Sequence, residues 1–253
     1  MTCLYRAVER DDVQLRKRIK ELANKHKRYG SPRIQVLLRK EGFIVNHKKT
    51  ERIYKEENLS LRTKKKKKIP LKERTNMVSA TRPNEIWSID FMSDSLSRGS
   101  RYRILTVIDN YSRISPGTEV SFSIPSQRII SCLENMASLH GYPERIRLDN
   151  GPEFTSKAFT SWALTSGIQL DYTRPGKPTD NCYIESFNGK LRDECLNENW
   201  FTNIKEARET IRSWLTDYNH KRPHSSLGNC APYEFVMNQN NMLNNQILAL
   251  KVA

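Results

Sequence analysis

No apolar run in this chain is long enough to cross a bilayer, no two cysteines form a Cys-x-x-Cys pair, and no internal repeat is visible. The first absence excludes a membrane-spanning helix. Five cysteines (Cys3, Cys132, Cys182, Cys195 and Cys230) are scattered and odd in number, which argues against a closed disulfide framework and for a reduced, cytoplasmic protein. His140, His220 and His224 never fall at metal-ligand spacing with those cysteines, which argues against a zinc site. The opening Met-Thr-Cys-Leu-Tyr-Arg-Ala-Val-Glu-Arg is too short and too charged for a signal peptide.

What the chain has in excess is positive charge. Its 253 residues, 37% of them apolar, can bury a core, and a net charge of +15 calls for a polyanionic partner, nucleic acid before membrane. Residues 1–80 hold 24 lysines and arginines against 9 acids, while residues 81–253 hold 19 of each. The whole surplus lies in the first third, as expected of a dedicated polyanion-binding module.

From Asp11 onward, Leu15, Ile19, Leu22 and Ala23 recur at helical spacing behind an Asp11-Asp12 pair suited to an N-cap, and Gly30 closes the segment. Ser31-Pro32 restarts a helix with Ser31 as its cap, packing Ile34, Leu37 and Leu38 inward and stopping at Gly42. A third helix follows Asn46, from His47 to about Glu57, with Lys48, Lys49 and Arg52 in its first turns and Ile53 and Tyr54 for packing. This layout fits a helix-turn-helix, whose recognition helix meets the major groove with its N-terminal residues. Five consecutive lysines, Lys64 to Lys68, then repel one another. They predict a solvated linker over residues 62–80 that neutralises phosphates without reading bases.

Beyond Pro83 the pattern turns to short β-rich runs. Glu85–Met92, Tyr102–Asp109 and Thr118–Ile124 read as three antiparallel strands. Helices and strands then alternate: a helix over Gln127–His140, a strand at Arg145–Asp149, a helix from about Ser156 to Ser166 and a strand at Ile168–Tyr172. A long helix starts near Thr179 or Asp180, and another spans about Asn203 to Tyr218. Strands grouped first and then alternating with helices predict an α/β fold, a ribonuclease H-like mixed sheet flanked by helices, behind the small all-α module. The boundaries expected are 1–61 for the helix-turn-helix domain, 62–80 for the linker, 81–236 for the core and 237–253 for an Asn-rich peripheral tail.

Three acids stand in distinctive settings: Asp90 in Trp87-Ser-Ile-Asp-Phe, Asp149 in Leu148-Asp-Asn-Gly-Pro-Glu-Phe154, and Glu185 in Asp180-Asn-Cys-Tyr-Ile-Glu-Ser-Phe-Asn-Gly, with 35 residues between the last two. Singly each reads as an ordinary residue: a satisfied strand acid, a turn former, an exposed helix acid. Together they lie on the first strand, the fourth strand and the long helix, elements that meet at one edge of such a sheet. Close carboxylates repel unless a cation neutralises them. Two Mg²⁺ ions about 3.5–4 Å apart meet that need, and such a clamp breaks and rejoins phosphodiester bonds.

These motifs resemble the catalytic signatures of the retroviral-integrase superfamily and, more closely, the OrfB-type transposases of bacterial insertion sequences. The likeness continues through Arg174-Pro-Gly-Lys-Pro178, Asp180 to Leu196 and Tyr218-Asn-His-Lys-Arg-Pro-His-Ser-Ser-Leu227, and back to Arg28-Tyr-Gly-Ser-Pro-Arg-Ile34 and Val45-Asn-His-Lys. It implies that Asp90, Asp149 and Glu185 are DDE metal ligands for two Mg²⁺ ions, with Mn²⁺ as a substitute. The implied reaction is cleavage and strand transfer at the element's own DNA ends, with water or a 3′-hydroxyl attacking phosphorus in line. No covalent protein intermediate is needed, which suits the lack of a Ser, Tyr or His nucleophile motif. Expected DNA contacts are Arg33, Lys48, Lys49, Arg52, Lys177, Asn188, Lys190 and Arg192, the last three on the helix of Glu185.

The resemblance also implies a homo-oligomer on DNA, an upstream-frame OrfA partner or fusion, and a nucleoid-associated place in a bacterial cytoplasm. Here the chain departs from the wider pattern, with no heptad run and no N-terminal His/Cys zinc module. Asp109 and Glu153 are expected in supporting roles, Cys182 as a small packing residue, and Trp87, Phe91, Phe154 and Phe187 in the core. His224 resembles a family position whose job the sequence does not give. Two competing readings are a DNA-binding regulator with decayed catalysis, against which the intact acids stand, and a ribonuclease H-like nuclease that cleaves without joining.

Overall fold

A computed structural model describes residues 12–61, 79–174 and 181–252, with residues 243–252 described by backbone alone. Lys177, most of the expected linker and the expected start of the long helix at residues 179–180 lie outside the described residues. The chain divides into two units, Met1–Pro70 and Leu71–Ala253.

The first unit holds α1 (Val13–Lys25), α2 (Ser31–Lys40) and α3 (His47–Glu56). Their apolar stripes converge in one core of Leu15, Ile19, Leu22, Ala23, Ile34, Leu38, Ile53 and Tyr54. The helix ends differ from the sequence expectation in two places. Gly30 is the N-cap of α2, and Ser31 already belongs to the helix, with Pro32 in its first turn, where a missing N–H leaves no bond unmade. Asp12 stands at the N-cap of α1 without capping it, because its carboxylate turns to Lys49 and Arg52. Asn46 does cap α3, accepting from the Lys48 amide at 3.0 Å.

The second unit is built on β1 (Ile86–Ser95), β2 (Arg101–Asp109), β3 (Thr118–Ser121), β4 (Arg145–Leu148) and β5 (Gln169–Tyr172). They form one five-stranded sheet in the order β3-β2-β1-β4-β5. β1, β2 and β3 pair antiparallel, while β1, β4 and β5 run parallel. Side chains alternate across a strand, so β1 and β2 each feed two cores. Trp87, Ile89, Leu105, Val107, Ile146 and Leu148 face α4 (Ser126–His140) and α5 (Lys157–Thr165). Met92, Ile104, Ile108 and Val120 face α6 (Cys182–Glu194) and α7 (Ile204–His220). Burial on both faces explains why β1 and β2 read as near-continuous apolar runs.

A final helix, α8 (Pro232–Val252), runs through the Asn-rich tail. Asparagine is a poor helix former, so composition alone hid this element. No helix among the described residues is long and apolar enough to cross a membrane.

Candidate active site

Alternation along β1 decides where Asp90 points. Trp87 and Ile89 enter the core under α4 and α5, so Asp90 faces the α6 side with Met92. On β4, Trp87 pairs with Ile146 and Ser88 with Arg147. Continuing that register by two places puts Asp149, just past the end of β4, on the Asp90 side of the sheet edge, close enough for its charge to act on Asp90. Glu185 lies on α6, exposed, next to the stripe of Ile184, Phe187 and Leu191 that packs the helix onto the sheet.

Electrostatics report the same meeting. The Asp90 carboxyl is pushed up to about 6, first by burial and further by the charges of Asp149 and Glu185, against hydrogen bonds from Phe91 and Asn188 that favour its charged form. Among the described residues none of the three acids pairs with a cation. Nor is any group of three His, Cys, Asp or Glu side chains among those residues closed enough to hold one ion. The three carboxylates share an electrostatic field rather than a finished ligand cage.

Asp149 is held by its own loop. Its Oδ1 accepts from the Gly151 amide at 2.9 Å, and a Cβ at Gly151 would stand 3.0 Å from that same oxygen. Any larger residue there crowds the carboxylate. Two residues on, Glu153 forms an ion pair with Arg103 of β2, whose guanidinium lies 3.9 Å from the centre of the Phe91 ring. Phe154 is fully buried and stacks on Phe91 with ring centroids 5.2 Å apart. The motif that carries Asp149 is thus pinned to the strand that carries Asp90.

Asp109 serves the opposite end of β1. Its carboxylate accepts from the backbone amides of Asn84, Tyr111 and Ser112 and from the Ser112 hydroxyl, locking the turn after β2. It pairs with Trp87, three positions from Asp90, and has a structural role.

Several of the residues expected to contact DNA have partners within the chain. Asn188 is buried, and its amide donates to Asp90 Oδ2 at 2.9 Å. Arg192 donates to the Ser93 carbonyl at 2.8 Å and Lys190 to the Ser186 hydroxyl at 2.8 Å. In the first unit Lys49 pairs with Asp12, and Arg52 pairs with both Asp12 and Glu56. Arg33 lies 5.3 Å from the centre of the Tyr29 ring, and Lys48 is exposed. Cys182 is exposed too, which corrects its reading as a packing residue. His224 is buried and meets Tyr218 edge-on, ring centroids 4.7 Å apart.

Sequence reasoning missed Thr106 and Arg103. Both sit in the apolar run of β2, where a threonine reads as a strand former and an arginine as an edge residue. Only the cross-strand register, which pairs Asp90 with Thr106, reveals the first.

Comparison with known proteins gives the fold and the family. Residues 80–178 and 166–232 match families described as Integrase core domain, and residues 9–67 match an HTH-like domain. A chain of the simian T-cell lymphotropic virus intasome, solved in complex with the PP2A regulatory subunit B56 gamma, shares the fold. Its TM-score is 0.57 at 18% identity, over 86% of this chain and 73% of that one. The HTLV-2 integrase catalytic core domain in complex with magnesium gives 0.50 at 21% identity, over 60% and 96%. Fold and domain matches together define a polynucleotidyl transferase with an integrase core.

Nearer relatives narrow the class. The insertion element IS407 31.7 kDa protein of Burkholderia multivorans is 43% identical over 90% of this chain and 82% of its own length. The transposase for insertion sequence element IS904 of Lactococcus lactis is 30% identical over 87% and 92%. The insertion element IS476 39.2 kDa protein of Xanthomonas euvesicatoria is 46% identical over 87% of this chain, which spans 64% of that relative's length. The chain belongs to the integrase-core transposase family of bacterial insertion elements.

Proposed function

We propose that this chain cleaves DNA at the ends of an insertion element and transfers the resulting strands to target DNA, with Asp90, Asp149 and Glu185 holding two Mg²⁺ ions. The observation that carries this reading is the field at Asp90: a half-buried carboxylate with two like charges beside it and no cation among the described residues to offset them. Three carboxylates offer hard oxygen donors, the set that Mg²⁺ and Mn²⁺ prefer. Bound there, the ions polarise the scissile phosphate and favour deprotonation of the attacking oxygen.

The protein's own part is placement. Asn188 and the Phe91 amide, at 2.9 and 2.8 Å, fix the Asp90 carboxylate. The Gly151 amide and the Glu153–Arg103 pair fix Asp149. In each step the attacking oxygen, from water or a 3′-hydroxyl, forms a bond to phosphorus while the bond to the leaving 3′-oxygen breaks. The helical unit supplies a sequence-independent grip on phosphates, with exposed Lys48 at the start of α3 as its leading contact. DNA and further copies of this chain are the partners this chemistry needs, and the nucleoid in a bacterial cytoplasm is the matching location. An upstream-frame OrfA partner rests on the sequence resemblance alone.

Glu185→Gln tests the assignment with labelled element ends and Mg²⁺. Cleavage and joining should both fall by at least on the order of 10²–10³, with DNA binding retained. Full activity in the variant would sink the assignment of Glu185. Cleavage without joining in the unsubstituted protein favours the nuclease reading.

A further inference from the structure

Asn188 stands between two groups of different chemistry, and its environment allows one orientation of its amide. The residue is 9% exposed. A carboxylate near neutrality only accepts hydrogen bonds, so the amide nitrogen must face Asp90, where Nδ2 lies 2.9 Å from Oδ2. The amide oxygen then faces β2 and needs a donor. Thr106, fully buried and paired with Asp90 across the strands, provides one: its hydroxyl is 2.8 Å from Asn188 Oδ1. The same hydroxyl lies 3.1 Å from the Asp90 carbonyl, a second acceptor. A hydroxyl has one hydrogen to give, and the shorter contact is to Asn188.

We infer that Thr106 is a positioning residue for the acid site, its hydroxyl fixing the Asn188 amide so that the Asp90 carboxylate keeps one rotation and offers its remaining lone pairs to metal. The inference rests on Asp90 being a metal-holding acid. Oδ2 takes the Asn188 amide, and Oδ1 takes the Phe91 backbone amide at 2.8 Å. Two donors on two oxygens set the plane of the carboxylate. Valine has the shape of threonine without its hydroxyl. At position 106 it would preserve packing and leave the Asn188 oxygen without its donor.

The test uses the full chain and Mn²⁺ as the probe. Thr106→Val should weaken Mn²⁺ binding, read by calorimetry and by the paramagnetic signal, roughly 10- to 100-fold, as expected when a partner of a metal ligand is removed. Thr106→Ser, which restores a hydroxyl, should return affinity to within about threefold of the original. The Asn188 side-chain NH₂ resonances should shift and broaden in Thr106→Val and recover in Thr106→Ser. Should the valine variant fail to fold, Asn188→Ala carries the same expectation for Mn²⁺ and leaves Thr106 in place.

Unchanged affinity and unchanged NH₂ resonances in Thr106→Val would overturn the inference, as would equal losses in the valine and serine variants. Asp90→Asn separates this inference from the reading beneath it. If that change leaves Mn²⁺ binding intact, the metal-site assignment fails and the inference falls with it. If it removes binding while Thr106→Val does not, only the inference falls.

Discussion

The two units treat their acids in opposite ways. In the helical unit every acid among the described residues pairs with a cation: Asp12 with Lys49 and Arg52, Glu21 and Glu41 with Arg18, Glu51 with Lys55, Glu56 with Arg16 and Arg52, and Glu57 with Arg16 and Lys20. In the sheet unit the acids that matter most, Asp90, Asp149 and Glu185, pair with none among the described residues. Exposed pairs of the first kind contribute little stability each. On the proposed function, they would set how many cations remain for phosphate. Unpaired acids of the second kind cost stability and leave a field that an added cation or a proton relieves. On the proposed function, charge is organised for holding DNA in one unit and for chemistry in the other.

The largest effect should come from separating them. Residues 62–253 alone should fold, since the sheet unit has two cores of its own, yet bind element ends roughly tenfold or more weakly. The slope of log affinity against log salt should fall by about 0.9 for each phosphate that the shortened chain no longer neutralises. A filter-binding titration across salt concentrations measures both. Unchanged affinity would place the DNA grip in the sheet unit and dissolve the contrast.

Much of this organisation was legible beforehand, for physical reasons that also mark where legibility ended. Period-2 and period-3.6 patterns gave the strands and helices, because Trp87, Ile89 and Phe187 sit where the pattern demands burial. The three acids stood out because each occupies a motif with its own turn or strand chemistry. Partnership was not legible. That Asn188 serves Asp90, that Asp12 holds Lys49, and that Arg103 spans from Phe91 to Glu153 all depend on side chains brought together from distant positions. A basic residue looks the same in sequence whether it faces phosphate or a neighbouring carboxylate.

A middle-sized effect tests the cost of the unpaired acids. In the folded chain Asp90 holds its proton up to about pH 6, whereas in the unfolded chain it loses it near 4. Between those values only the unfolded chain has ionised, so stability falls as pH rises through the window and the penalty is complete above it. Asp90→Asn removes the penalty. In metal-free buffer the variant should be more stable than the original protein by about 1–2 kcal/mol at pH 7.5, with no gain at pH 3.5. That is below the roughly 3 kcal/mol a rise from about 4 to about 6 converts to, because solvent reaches part of the carboxylate. Urea unfolding at the two pH values decides it, and a variant less stable at both would show that the missing hydrogen bonds outweigh the field.

The smallest effect lies in the helical unit and probes the pairing itself. Asp12→Asn takes away the carboxylate that Lys49 meets at 2.5 Å, while Arg52 keeps Glu56 at 2.6 Å. Lys49 is therefore the cation released. If pairing competes with DNA, the variant should bind nonspecific duplex about two- to threefold more tightly, and its salt slope should steepen by about 0.9, as one more phosphate is neutralised. Thermal stability should fall only slightly, since the pair is only partly shielded from solvent. Mild acidification does not imitate the substitution, because the Lys49 hydrogen bond holds the Asp12 carboxyl below its ordinary range and keeps it charged. An unchanged slope would mean that Lys49 already leaves Asp12 when DNA arrives, or that it never reaches phosphate. Lys49→Ala separates these: a shallower slope than the original protein marks a cation that switches partners, and an equal slope marks one that only holds α3 to the start of α1.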